Sequence, residues 1–170
     1  MANSNKTKKA LVSSLKVLME TKSFEKITIT EICEKCSMNR KSFYYHFHDK
    51  YELMNYVFHS EFVSCGGMSK SSGKVILKDL CDYLYENKNF YKQAFYVEGK
   101  NNFFDYFYTI IYSFIYSGLK IQFDKEKLDD FTLSFFTDGF IAAIKRWITN
   151  RDPDTPDIFV DKIFSLVKNF

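Results

Sequence analysis

The chain has 170 residues, of which 46% are hydrophobic, 26% charged and 19% aromatic, and its formal net charge is +3. This is an ordinary soluble composition, long enough for one domain or two small ones with a real core. No apolar run approaches the ~20 residues that span a bilayer, and the polar start "MANSNKTKK" lacks the apolar stretch of a secretion signal, so a cytoplasmic protein with no membrane partner is expected.

The charge is unevenly placed. Residues 1–50 carry 10 Lys/Arg against 5 Asp/Glu, while the remainder carries 14 against 16. A basic first third beside a slightly acidic remainder points to a polyanionic partner, or else to a plain solvated basic face. With only 2 prolines and 6 glycines to interrupt it, the chain favours long helices.

In chain order, an amphipathic helix is predicted from about Lys6 to Thr21, with Leu11, Leu15, Leu18 and Met19 on one face. Thr28 and Glu31 then have capping-box spacing and open a short helix ending near Cys36. "SMN" makes a tight turn, and Asn39 is a good N-cap for a third helix over Arg40 to Phe47. Asp49 and Glu52 form a second capping box before a fourth helix with Leu53, Met54, Val57, Phe58 and Phe62. "SCGGMSKSSGK", Ser64 to Lys74, reads as a flexible linker. Beyond it come a helix from about Lys74 to Glu86 and a short one from Phe90 to Val97 capped by Asn89. A very aromatic helix closed by Gly118 follows, then a long one from about Asp124 to Asn150. The last opens at Thr155 and Pro156.

Four cysteines raise the question of metal or disulfide chemistry. Cys33-x-x-Cys36 has ligand-like spacing, but no second pair completes a tetrahedral site. Ile29, Ile32, Cys33 and Cys36 fall on one helical stripe, where free cysteine packs as a small apolar residue. His46-x-His48 does not put two rings on one helical face. No metal, cofactor or catalytic constellation is expected, and an enzyme is the least favoured class.

Two short helices joined by a three-residue turn have helix-turn-helix geometry, whose second helix enters the major groove. In that helix Phe43 and Phe47 are four apart and face inward together. Arg40, Lys41, Tyr44, Tyr45 and His48 are left outward, with His46 at the flank. Arg and Lys suit phosphates and guanine edges; tyrosine hydroxyls and imidazole N–H groups suit phosphate oxygens. Lys50 adds a cation at the start of the fourth helix, where the dipole also favours a phosphate.

Residues 6–60 resemble the N-terminal DNA-binding domain of the TetR family of transcriptional regulators. The likeness rests on "ITITEICEKCSMNRKSFYYHFHDKYELM", with its threonine start, its turn, "FYYHF" and "DKYEL". It departs from the family at Ser37, where glycine is common, and at Cys36, where alanine is. The resemblance implies DNA contacts by Thr28, Thr30, Arg40, Lys41, Ser42, Tyr44, Tyr45, His46 and Lys50. Of these, Tyr44, His46 and Lys50 look like phosphate contacts, and Arg40, Lys41 and Tyr45 look like the positions that vary with operator sequence. The segment "YLYENKNFYKQAF" looks like the branch of the family related to the activator of dihydroxyacetone kinase genes.

The family's remaining helices usually bind a small organic effector and form a homodimer. The helix from Asp124 is apolar almost all round, so a lone small domain would not cover both faces. The expected dimer surface is Phe136, Gly139, Phe140, Ala143 and Trp147 with Phe159, Ile163, Phe164 and Val167 of the last helix, in a four-helix bundle. Candidate pocket residues are Tyr91, Phe95, Phe103, Phe107, Tyr112 and Phe135, although aromatic stripes at helical spacing are more often plain core.

The expectation is thus an all-α protein. Residues 1–63 would form a helix-turn-helix DNA-binding domain of three principal helices, and 64–170 an effector-binding and dimerisation domain. The expected partners are double-stranded DNA, a second copy and a small effector. The rival is a helical small-molecule or protein-binding module with a non-functional helix-turn-helix.

Overall fold

Apolar residues repeating every three to four positions fold as helices alone. Among the described residues of this computed structural model there are nine α-helices and no strand. The described backbone covers residues 2–68, 72–122 and 129–168, and the described side chains 4–68, 72–117 and 129–166. The start of the long helix expected at Asp124 and the side chains of Val167 and Phe170 lie outside these ranges.

The chain forms two compact units. The first is Met1–Glu61 with Asn89–Phe104, and the second Phe62–Lys88 with Asp105–Phe170. This differs from a single cut at 63/64, because residues 89–104 pack with the N-terminal helices. Gln93 Nε2 donates to the Met19 carbonyl at 2.5 Å, and Asn55 Nδ2 to that of Asn101 at 3.0 Å. The Tyr91 and Phe103 rings lie 6.2 and 5.9 Å from Phe58, both edge-on. Burying these rings is worth roughly 1.5–3 kcal/mol for each large side chain.

In the first unit, α1 (Ala2–Thr21) buries Leu11, Val12, Leu15 and Met19. It starts before Lys6 and packs on α2 (Ile29–Lys35) and α4 (Lys50–Phe58). The Thr28 hydroxyl accepts the Glu31 N–H at 3.2 Å, and the Glu31 carboxylate accepts the Thr28 N–H at 2.9 Å, so the capping box is complete. Asn39 caps α3 (Arg40–His46) by accepting the Ser42 N–H at 2.8 Å. At the second box Asp49 accepts the Glu52 N–H at 2.8 Å, but the Glu52 carboxylate reaches one residue further, to the N–H of His48 at 2.6 Å.

Turn α2–α3 has a defined stop. Met38 N–H donates to the Cys33 carbonyl at 2.9 Å and Ser37 N–H to that of Glu34 at 3.1 Å, a Schellman pair. The motif needs a left-handed residue at its centre, and Ser37 fills that place at φ +56°.

In the second unit, α5 (Gly73–Glu86) buries Ile76, Leu77, Leu80, Cys81 and Leu84, and packs on α9 (Pro156–Lys168). Lys74 and Lys78 bridge that packing, pairing with Asp161 at 2.9 Å and Asp157 at 3.2 Å. The glycine stretch is not all loose linker. The Phe62 ring lies where a Cβ on Gly67 would stand, at 2.6 Å, so only glycine lets the turn close over it. Three helix bounds differ from expectation. α6 (Lys88–Ala94) begins ahead of Asn89, which therefore does not cap it. α7 (Phe103–Gln122) runs through Gly118. α8 (Asp130–Thr149) is capped by Asp129, which accepts the Thr132 N–H at 2.8 Å.

The left-handed serine yields the first prediction. Replacing Ser37 by Gly removes a steric cost of ~1–2 kcal/mol and loses part of it to chain entropy. A net gain of about 0.5–1 kcal/mol, a thermal midpoint higher by about 1–4 °C, is expected by circular dichroism.

Candidate nucleic-acid interface

The interface is built on one rotation. Phe43 and Phe47 are 0% and 2% exposed, with ring centroids 5.9 Å apart, and they seat α3 on the first unit's core. The opposite face is then fixed outward: Tyr45 is 83% exposed and Tyr44 49%, with Arg40, Lys41 and His48 exposed beside them. Ser42 and His46 are half-buried on the flanks, and Thr28 and Thr30 stand exposed at the start of α2.

The outward groups are ordered by one another. The Arg40 guanidinium donates to the Tyr44 hydroxyl at 3.3 Å, one turn along the helix. The Tyr45 ring meets the His46 ring edge-on at 4.9 Å. This surface offers two cations, phenolic hydroxyls and an imidazole along two turns of one helix, the donors that phosphates and base edges accept.

Two expected contacts have prior engagements. The Lys50 ammonium donates to the carbonyls of Phe24, Glu25 and Ile27 at 2.8, 3.0 and 2.8 Å. It lies 4.6 Å from the Phe24 ring centroid, and burial pushes its pKa below the ordinary lysine value. An ammonium has three donors, and here each has a carbonyl. Lys50 therefore ties the end of the α1–α2 connection to α4, and is not the open phosphate cation expected from the helix dipole. The Thr28 hydroxyl and N–H both donate to the Glu31 carboxylate at 2.9 Å, and its carbonyl accepts the Ile32 N–H at 3.1 Å, so its donors are engaged although the residue is exposed. Glu31 in turn is paired with Lys22, and that ammonium together with the Thr28 bonds holds its carboxyl down at about 2.

One cation was not singled out by spacing. Lys8, in the second turn of α1, sits 5.7 Å from the Phe47 ring centroid and 4.8 Å from that of Tyr56. The early basic excess was its only trace in the chain, because a contact across 39 residues leaves no local period.

The candidate pocket residues do not form one group. Tyr91, Phe95 and Phe103 are together and buried in the first unit, Phe103 lying 5.2 Å from each of the other two rings. Phe107 is buried in the second unit, and Tyr112 is half-buried there. Phe135 is 65% exposed and stacks on Phe131 at 6.3 Å, so it belongs to an open helix face and not to a buried lining. The candidate dimer residues also divide. Trp147 and Phe159 stack on one another at 4.6 Å and 9° inside the second unit, and the indole N–H donates to the Asp154 carbonyl at 2.8 Å. They are core, because burial between α8 and α9 already covers them. Phe136 and Gly139 are exposed, and Phe140, Ala143, Ile163 and Phe164 are half-buried.

Comparisons with known proteins agree with this geometry. Residues 11–57 match the family described as bacterial regulatory proteins, tetR family, and residues 74–169 the transcriptional regulator C-terminal region. The chain is 28% identical over 140 residues to the HTH-type dhaKLM operon transcriptional activator DhaS of Lactococcus lactis subsp. lactis (strain IL1403), covering 80% of this chain and 71% of that one. Among solved structures, a TetR transcriptional regulator from Streptococcus agalactiae 2603V superposes with a TM-score of 0.75 at 18% identity, over 98% of this chain and 96% of the other. The dihydroxyacetone kinase operon activator DhaS does so with a TM-score of 0.68 at 21% identity, over 96% and 95%. These likenesses establish the all-helical fold. The outward helix face and the two family matches lead to one conclusion: the chain belongs to the tetR family of bacterial regulatory proteins and is a transcriptional regulator with a DNA-binding helix-turn-helix.

Proposed function

We propose that the protein acts as a homodimer on a near-palindromic operator, with α3 of each copy in the major groove. The observation that carries this reading is the outward set Arg40, Lys41, Tyr44 and Tyr45, turned to solvent by the buried phenylalanine pair. Arg40, Lys41 and Tyr45 read bases; Tyr44 and His46 hold phosphates, with Thr28, Thr30 and Ser42 on the flank. Lys50 supports the turn from behind.

Dimerisation is supported by an uncovered stripe on α8. Phe131 and Phe135 are 77% and 65% exposed, and Gly139, Ala142 and Arg146 continue the same face. A Cβ on Gly139 would meet nothing within 4 Å, which leaves room for another helix to approach closely. Exposed phenylalanines in a row are costly in water and mark an interface. Two copies joined there would present two reading helices about 34–36 Å apart, one turn of DNA. In this reading an effector acts in the C-terminal unit by favouring one spacing of the reading helices. The operon activator among the relatives makes activation, as well as repression, an outcome to score in a reporter assay.

Selection of bound sequences from a random DNA pool tests the reading directly, with a two-fold symmetric site expected. On that site Arg40→Ala should cost about 1–3 kcal/mol and relax the preference at one base per half-site, measured by competition binding. Lys50→Ala should instead lower the unfolding free energy by about 1–3 kcal/mol and leave the salt dependence of binding nearly unchanged. Phe135→Glu should shift the protein towards monomer in sedimentation and weaken operator binding, while the isolated chain keeps its helix content. A random pool that returns no enriched sequence would overturn the proposal.

A further inference from the structure

The Cys33-x-x-Cys36 pair takes no part in the interface described above, yet it sits in the turn that aims it. Cys33 is buried near the end of α2, and Cys36, half-buried, is the C-cap. All four cysteines of the chain stand outside any disulfide. The Cys33 carbonyl is the hub of the turn, accepting the Cys36 N–H at 3.2 Å and the Met38 N–H at 2.9 Å. Ser37, between them, already holds a left-handed backbone.

Residues three apart on a helix have Cβ atoms about 5–6 Å apart, within one contraction of a disulfide's ~3.5–4.5 Å. Cys36 is the residue able to move. Its backbone has left the helix, at φ −110° and ψ 15°, and its thiol makes only the weak bonds of sulfur, to the carbonyls of Ile32 at 3.3 Å and Cys33 at 3.5 Å. A contraction of about 1–2 Å there falls on the Schellman bonds, which position Asn39 and the start of α3.

We propose that Cys33 and Cys36 are a reversible dithiol switch, which a hydroperoxide closes to a disulfide that distorts the α2–α3 turn and releases DNA. This rests on α3 being the DNA-reading helix. The more accessible Cys36 thiolate attacks a peroxide oxygen, so that an S–O bond forms, the O–O bond breaks and hydroxide leaves to be protonated. The Cys33 thiol then attacks the Cys36 sulfenic sulfur; the S–S bond forms, the S–O bond breaks, and water leaves with the thiol proton. Overall two thiols lose two electrons and two protons, and hydrogen peroxide becomes two waters. The roles follow from exposure: burial, then the neighbouring Cys36, pushes the Cys33 thiol up and suits it to resolve and not to attack. A strained disulfide is also readily reduced, as a switch requires.

The test uses the full chain with Cys65→Ser, which removes the exposed thiol. The protein is treated with hydrogen peroxide and then with dithiothreitol. Trypsin cuts after Lys35, between the two cysteines, so Ile27–Lys35 and Cys36–Arg40 stay joined only if the disulfide has formed. The expected result is the joined, peroxide-dependent peptide together with an operator affinity lowered about tenfold or more, on the scale of one lost base contact per copy, both reversed by dithiothreitol. Cys36→Ser and Cys33→Ala should each bind DNA as the reduced protein does and lose the response. Absence of the joined peptide, or its presence with unchanged affinity, overturns the proposal; so does a peroxide response that survives Cys36→Ser. Failure of the underlying DNA reading is separate, since the reduced protein would then enrich no sequence, while the tryptic map and a lowered melting temperature of the oxidised form would still judge the disulfide.

Discussion

Burial of Phe43 and Phe47 against the first unit is the constraint on which the regulatory surface depends. A seven-residue helix has too few internal hydrogen bonds to persist alone in water. Its orientation comes from two rings on one side and a side-chain cap at Asn39. With those set, the outward identity of Arg40, Lys41, Tyr44 and Tyr45 follows from helical angles alone. A slip of one residue in the seating would turn about 100° of that face away from solvent.

Around this helix the protein uses polar groups as fixings more than as bait. Thr28, Glu31 and Lys22 form a chain of bonds at the start of α2, and Lys50 gathers three carbonyls at the connection before it. Both lie within the segment whose charge excess first suggested a polyanion. Net charge therefore overstated the cations open to a ligand. Of the cations that remain exposed in this segment, Arg40 and Lys41 are on α3 itself, and Lys6, Lys9, Lys26 and Lys35 lie elsewhere in it.

Much of the fold was legible because its signals are local. The Thr28–Glu31 box, the Asn39 cap, the inward phenylalanine pair and proline at the first position of α9 each depend on residues within one helical turn. What was not legible depends on distance along the chain. Lys50 meets carbonyls more than twenty residues away, and Trp147 stacks on Phe159 across a loop. Periodicity marks such side chains as apolar or charged without saying which surface they meet. For that reason Trp147 and Phe159 read as interface residues although their own unit covers them. Phe135, by contrast, read as a pocket wall although it stands open.

The return of residues 89–104 to the first unit bears on how such regulators can be recombined. An N-terminal fragment cut at the glycine stretch would uncover Phe58 and leave the Met19 carbonyl and the Asn55 amide without the partners they have here. The reading head is thus assembled from two separated stretches of gene. A chimera that borrows a new specificity from a cousin would have to carry both pieces, and drift in the later stretch would be felt by a head it does not adjoin in the chain.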